Sequence, residues 1–191
     1  EALATIPTLK LQDLPRENKN IPRDVSELQK TLLLRHDLPT NGIVYLDLGF
    51  DLRGLPETLL PYVTLFGRAL LQTGAGDEDF VQLSERIGRL TGGIRPQRWP
   101  AAITGTETSA AWLFLQGKAL VARTADLLAI VRDVLTGARL DNRERIRQLV
   151  HESKAGLEAA VAPGSTRFVA LRLRAGLHET GWLAEHAGGV S

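Results

Sequence analysis

Between Ile43 and Leu52 the sequence alternates so strictly that it dictates a half-buried strand. Val44, Leu46, Leu48, Phe50 and Leu52 share one parity, while Ile43, Tyr45, Asp47, Gly49 and Asp51 share the other. Successive side chains of a strand point to opposite faces, so one face is wholly apolar and the other mixed. A sheet built around this strand buries the first face under helices. It leaves the second to water or a cavity, as antiparallel and mixed sheets commonly do.

The flanking segments supply the rest of such a fold. Pro7, Pro15 and Pro22 make residues 1–23 an expected extended linker, because proline at that density blocks helix and interior strand alike. A strand is predicted over Lys30 to Arg35, then a turn over Asp37 to Gly42, where Asn41-Gly42 favours a tight hairpin. Leu59, Leu60, Val63, Phe66, Leu70 and Leu71 predict a helix over Glu57 to Gln72 with Pro56 at its start. Asp77, Glu78 and Asp79 favour the N-terminus of a second helix carrying Phe80, Leu83, Ile87 and Leu90, closed by Gly92-Gly93. Ile94 to Trp99 reads as extended and broken by proline, and strands are predicted over Ala101 to Thr106 and Ser109 to Gln116.

After Gly117 the pattern turns helical. Val121, Leu128, Val131 and Leu135 mark one helix ending near Gly137. A second, capped by Asp141 or Asn142, carries the stripe Ile146, Leu149, Val150, Ser153, Leu157 and Val161. A last one, capped by Ser165 or Thr166, carries Phe168, Leu171 and Leu173 toward Gly176. Strands and helices do not alternate long enough for a doubly wound sheet, so the expected class is α+β. That means a mixed or antiparallel sheet packed on one face by helices. The expected division is a linker over 1–28 and one domain over 29–191.

Composition excludes several chemistries. With 23 Lys+Arg against 22 Asp+Glu the net charge is +1, which gives no field to steer nucleic acid or an anionic membrane. No partner of either kind is expected. There is no Cys, which removes thiolate nucleophiles, disulfides and Cys-ligated metals. No apolar run approaches the roughly 18 residues of a membrane span. The chain begins Glu1-Ala2-Leu3 and contains no Met. We therefore expect residue 1 not to be a translation start, with further sequence upstream.

Motif by motif, no working centre emerges. His178 and His186 are eight apart, whereas a helical zinc pair needs i and i+4; His36 and His151 have no spaced partner. No metal ligand and no catalytic residue is therefore expected. No G-x-S-x-G string occurs, and Gly164-Ser165-Thr166 reads as a helix cap. Thr91-Gly92-Gly93-Ile94-Arg95 follows a helix and leads into a strand, the reverse of a phosphate loop, so a helix C-cap explains it more simply. A small-anion binder around Gly92 to Arg98 stays open. Arg139, Arg143, Arg145 and Arg147 form a cluster interspersed with acids, which reads as a solvated helix face. Asp47 and Asp51 could be paired acids, but hydrogen bonds to neighbouring strands or water explain them better.

Certain strings carry a resemblance. They are T-I-P-T-L at Thr5 to Leu9, D-L-P at Asp13 to Pro15, T-G-G-I at Thr91 to Ile94 and, above all, TNGIVYLDLGFDLRGLPETLLPYVTLFGRALLQTG from Thr40. This segment resembles the central, peptidase-associated region of presequence-protease-like zinc metallopeptidases in the pitrilysin and insulin-degrading enzyme clan. The resemblance implies a long parent of four related α+β domains whose two halves close around a chamber and cut unfolded peptides. It implies zinc in the parent, held by an H-x-x-E-H motif and a later Glu of the first domain, and no cofactor in this chain. The family's substrate-holding Arg and Tyr lie in the last domain and correspond to nothing here.

By this resemblance the chain is the connection between halves plus the non-catalytic third domain. Its partners are the remaining domains and peptide substrates, and its compartment is cytoplasmic in a bacterium and organellar in a eukaryote. The substrate-chamber candidates are Tyr45, Asp47, Asp51 and Arg95. The alternative reading is a stand-alone interaction or scaffold module related to an inactive peptidase.

Overall fold

A computed structural model describes residues 10–14, 16 and 20–188. The chain divides into a unit ending at Asn41 and a unit beginning at Gly42. Much of the expected linker, residues 1–9, 15 and 17–19, lies outside the described residues. Within it, Leu11–Asp13 form one 3-10 turn. The first unit is otherwise a hairpin of β1 (Asp24–Leu28) and β2 (Thr31–Arg35), paired antiparallel with Leu28 opposite Thr31. Its turn rests on Gln29 and Lys30, both at positive φ. The hairpin expected at Asn41-Gly42 does not form: both residues have positive φ, but β2 pairs with β1 and the next strand pairs elsewhere.

The second unit is α+β, built on an antiparallel sheet in the order β3-β5-β4, with β3 spanning Ile43–Asp51, β4 Ile94–Ala102 and β5 Ser109–Leu120. Strand β4 carries two prolines, Pro96 and Pro100, because it is an edge. The Lys118 amide donates to Gly93 O, and this parity turns the nitrogens of residues 94, 96, 98 and 100 away from β5, where no ladder bond is lost. The expected strand over Ala101 to Thr106 is therefore the end of β4 and the turn after it. Gly117 does not stop β5 either; it lies against Leu127, and an added Cβ there would meet Leu127 Cδ1 at 2.8 Å.

Six helices follow the chain: α1 (Val63–Gln72), α2 (Phe80–Leu90), α3 (Thr124–Gly137), α4 (Arg143–Val161), α5 (Ser165–Ala175) and α6 (Glu179–Gly188). The helix expected from Glu57 begins as a 3-10 segment, Glu57–Tyr62, because Pro61 interrupts it. Asp79 caps α2, its carboxylate accepting from the Val81 and Gln82 amides while Gln82 returns a bond to the Asp79 amide. Asn142 caps α4 through Arg145 N–H. Neither Ser165 nor Thr166 caps α5: Gly164 occupies the N-cap and no side chain bonds there. The sequence pattern alone does not separate α6 from α5.

The apolar face of the sheet is the one that meets helices. Leu115, Ala119 and Ile94 join Leu70, Leu83, Leu127, Ile130 and Val134 in the main core, with Val44, Leu46 and Leu48 packed against it. Leu52, Leu60, Val63, Ala111 and Leu113 form a second cluster capped by Trp182 and Leu183. In α3 the buried positions are Leu127, Ile130, Val131 and Val134, while Val121, Leu128 and Leu135 are exposed. The expected stripe is thus rotated by one residue. In α4 only Leu149 is fully buried, and Val150, Leu157 and Val161 of the expected stripe reach solvent.

Candidate functional site

The other face of the β3-β5-β4 sheet carries no helix contact in the core clusters, and it gathers all four sequence-selected residues. The register puts Asp47, Gln116 and Arg95 in one row across the three strands, with Tyr45 and Lys118 in the next. Asp47 and Arg95 line one depression of about 410 Å³, together with Gln97, Trp99, Phe114 and Gln116. Tyr45 stands beside it, 62% exposed. Asp51 closes the far end, opposite Trp112.

The two aspartates are not a pair. Four residues apart on one strand, they are separated by about 13 Å. Gln116 Nε2 donates to Asp47 Oδ2 at 3.2 Å, the cross-strand bond expected of an ordinary sheet acid. Asp51 accepts from Arg53 instead, through Nε at 3.0 Å to both oxygens, Nη2 at 2.5 Å and the backbone amide at 3.0 Å. This fork holds the Asp51 carboxyl down at about 2, the side-chain bonds contributing most and the amide next. The same pair raises the Arg53 guanidinium.

Residues that the sequence reading leaves out give the face its character. Trp99 is paired across strands with Trp112, and Phe114 lies 5.8 Å from Trp99 and 6.0 Å from Trp112 between ring centroids. These distances fall in the range of favourable aromatic pairs. Gly49, opposite Phe114, makes room for the ring: a Cβ there would meet Phe114 Cε1 at 2.8 Å. In the run Ala-Ala-Trp-Leu-Phe-Leu both parities are apolar, so no alternation distinguishes exposed aromatics from buried leucines. The pairing with Gly49 and Asp51 is the signal that assigns them.

The glycine run at Thr91 is fully engaged. Gly92 N–H donates to Lys118 O at 2.7 Å and Gly93 N–H to Thr91 Oγ1 at 3.0 Å, so neither amide is left for an anion. The histidines are tied to the backbone as well. His178 Nδ1 accepts from Gly181 N–H at 2.8 Å, and His186 Nδ1 lies 3.0 Å from Trp182 O with its ring stacked on Trp182. Among the described residues no three His, Cys, Asp or Glu converge on a common point, so the residues present do not fit a zinc centre. Among them, too, no helix is long and apolar enough to cross a membrane.

Residues 1–191 match the peptidase-associated family of peptidase group M16, subgroup C. The chain belongs to that family. Presequence protease 1, chloroplastic/mitochondrial, of Arabidopsis thaliana is 35% identical over 191 residues, covering all of this chain and 18% of that protein. Protein HypA of Clostridium perfringens is 33% identical over 162 residues, 84% of this chain and 17% of the relative. The mitochondrial presequence protease of Gibberella zeae is 27% identical over 195 residues, 100% of this chain and 19% of its own length. This peptidase-associated chain thus spans less than a fifth of these relatives. The resemblance carried by residues 40–74 agrees with the family match.

Proposed function

We propose that this peptidase-associated chain is a non-catalytic part of a zinc metalloendopeptidase that degrades unfolded peptides, and that its open sheet face is chamber wall in contact with substrate. Within that reading residues 1–28 connect the halves of the parent and residues 29–191 form the associated domain. The remaining domains supply zinc and its ligands.

The observation carrying the substrate role is the composition of the open face. Three adjoining aromatic rings, one acid, one arginine and two glutamines are displayed over three strands. Rings bind many side chains with little preference, and Asp47 and Arg95 offer complementary charges to a peptide lying between them. Such a surface suits chains of varied sequence. Relatives named presequence protease act on presequences by name, and targeting segments of that type are heterogeneous.

The test is made in the full-length parent with the exposed-face changes W99A and R95Q. Chamber contact predicts a raised KM for peptides with little change in kcat, since binding on a wall is shared by ground and transition states. Unchanged KM for both variants removes the substrate role. Peptide hydrolysis by the 191-residue chain supplied with zinc removes the non-catalytic assignment. A parent without hydrolytic activity favours a scaffold module instead.

A further inference from the structure

A second cavity, on the helical side of the sheet, has an electrostatic imbalance that the proposed peptidase role does not use. It also measures about 410 Å³ and opens between α1, β4, α5 and α6, with Val63, Leu113 and Leu171 among its apolar walls. Among the described residues three arginines line it and no carboxylate does. Arg68 is accounted for, since it donates to Ser153 Oγ at 2.5 Å and to Glu152 at 3.0 Å. Arg98 and Arg167 are not.

Arg98 points from β4 toward the end of α6, where one nitrogen donates to Ala187 O. Its other donors make no hydrogen bond among the described residues, and no acid there lies in ion-pair range. Arg167, at the exposed start of α5, has only the ring of Phe168, 5.7 Å from its guanidinium carbon, among the described residues. Burial and then the like charge of Arg167 both pull the Arg98 guanidinium below its ordinary value. Two cations converging on a partly apolar cavity with no counter-charge repel each other at low dielectric. A negatively charged group between them would reverse the sign of that interaction.

We propose that this cavity binds a small oxyanion, the carboxylate or phosphate group of a ligand, held between Arg98 and Arg167. The planar guanidinium fork matches the two oxygens of either group, and the apolar walls strengthen the bonds by excluding water. Arg95 plays no part, because alternation along β4 directs it to the opposite face of the sheet. The site is therefore distinct from the glycine run and from the open face.

The experiment titrates the chain with inorganic phosphate and, separately, with succinate. Affinity is read by calorimetry and the Arg98 and Arg167 side-chain Nε–H signals by NMR. We expect saturable binding that shifts both signals, weakens with added NaCl, and falls about tenfold or more in R167Q through loss of a charge-assisted bond. Arg167 is exposed, so R167Q should melt like the unaltered chain and isolate the charge; R98K keeps charge but loses the fork, and should also bind more weakly. Response to phosphate alone or succinate alone supports the site and identifies the ligand type. No response to either anion, or unaltered affinity in R167Q, overturns it.

Discussion

Gly67 of α1 lies directly against the ring of Pro96 on β4: a Cβ built on Gly67 would stand 2.7 Å from Pro96 Cβ and 3.3 Å from its Cγ. This contact sets how closely the helix approaches the edge strand. It also explains why a glycine is kept inside a helix that would otherwise favour alanine.

For Gly67→Ala, helix propensity offers about 1 kcal/mol of gain. Overpacking against a ring that cannot rotate away costs about 1–3 kcal/mol. The clash should win, with a net loss of about 1 kcal/mol seen as a lower urea midpoint at unchanged slope. The double change G67A/P96A should recover the loss. A stabilised G67A would mean that α1 can slide freely over β4.

The Asp51–Arg53 fork makes a pH prediction whose sign follows from the lowered carboxyl. The unfolded chain protonates Asp51 near its ordinary value of 3.8, and the folded chain near 2. Its contribution to stability is therefore complete above about pH 4, declines as pH falls between these values, and is gone below about 2. Carboxyl-carbon NMR should place the Asp51 midpoint near 2, with R53Q returning it toward the ordinary value. Since the pair is exposed, added salt should move the midpoint upward as well. A midpoint near 4 in the unaltered chain would show that the fork does not persist in solution.

How far the sequence can be read depends on whether one residue pattern has one outcome. Ile43 to Asp51 alternates, and β3 occupies those residues with the expected face buried. Asp47 and Arg95 can be selected as polar residues in strands, but their meeting across Gln116 depends on β5 running between β3 and β4, and no local pattern encodes that order. Stripe positions in α3 and α4 are less legible because both helices leave large apolar residues exposed, so hydrophobicity alone does not single out the buried arc. Turn chemistry misleads in one place. Asn41-Gly42 carries the favoured hairpin dipeptide yet pairs no strands across it, while Gln29-Lys30, which carries no turn signal, closes β1 on β2.

That inversion is itself testable. Gln29 and Lys30 hold φ of 47° and 67°, a left-handed conformation that costs most side chains about 1 kcal/mol and glycine almost nothing. Replacing the pair by the favoured dipeptide, Q29N together with K30G, should stabilise the hairpin by about 1 kcal/mol. Slower amide exchange in β1 and β2 would register it. Unchanged exchange would show that strand pairing, not the turn, limits the hairpin.

The last prediction concerns a buried charge in α6. Glu185 is 1% exposed; its Oε1 accepts one long bond, 3.4 Å, from Arg172, and its Oε2 has no partner among the described residues. Arg172 is 68% exposed along its side chain and would lose little if released to water. A carboxylate removed from solvent with one weak bond carries a desolvation cost that its ion pair does not recover. Glu185→Leu has similar bulk, and should raise stability by about 1 kcal/mol or more, or a few degrees in Tm at this chain length. Glu185→Gln should fall between, since it removes the charge but keeps a buried polar group. A clear loss of stability in both variants would mean that the charge is held by a stronger cation than Arg172, and the search for that cation would begin at Oε2.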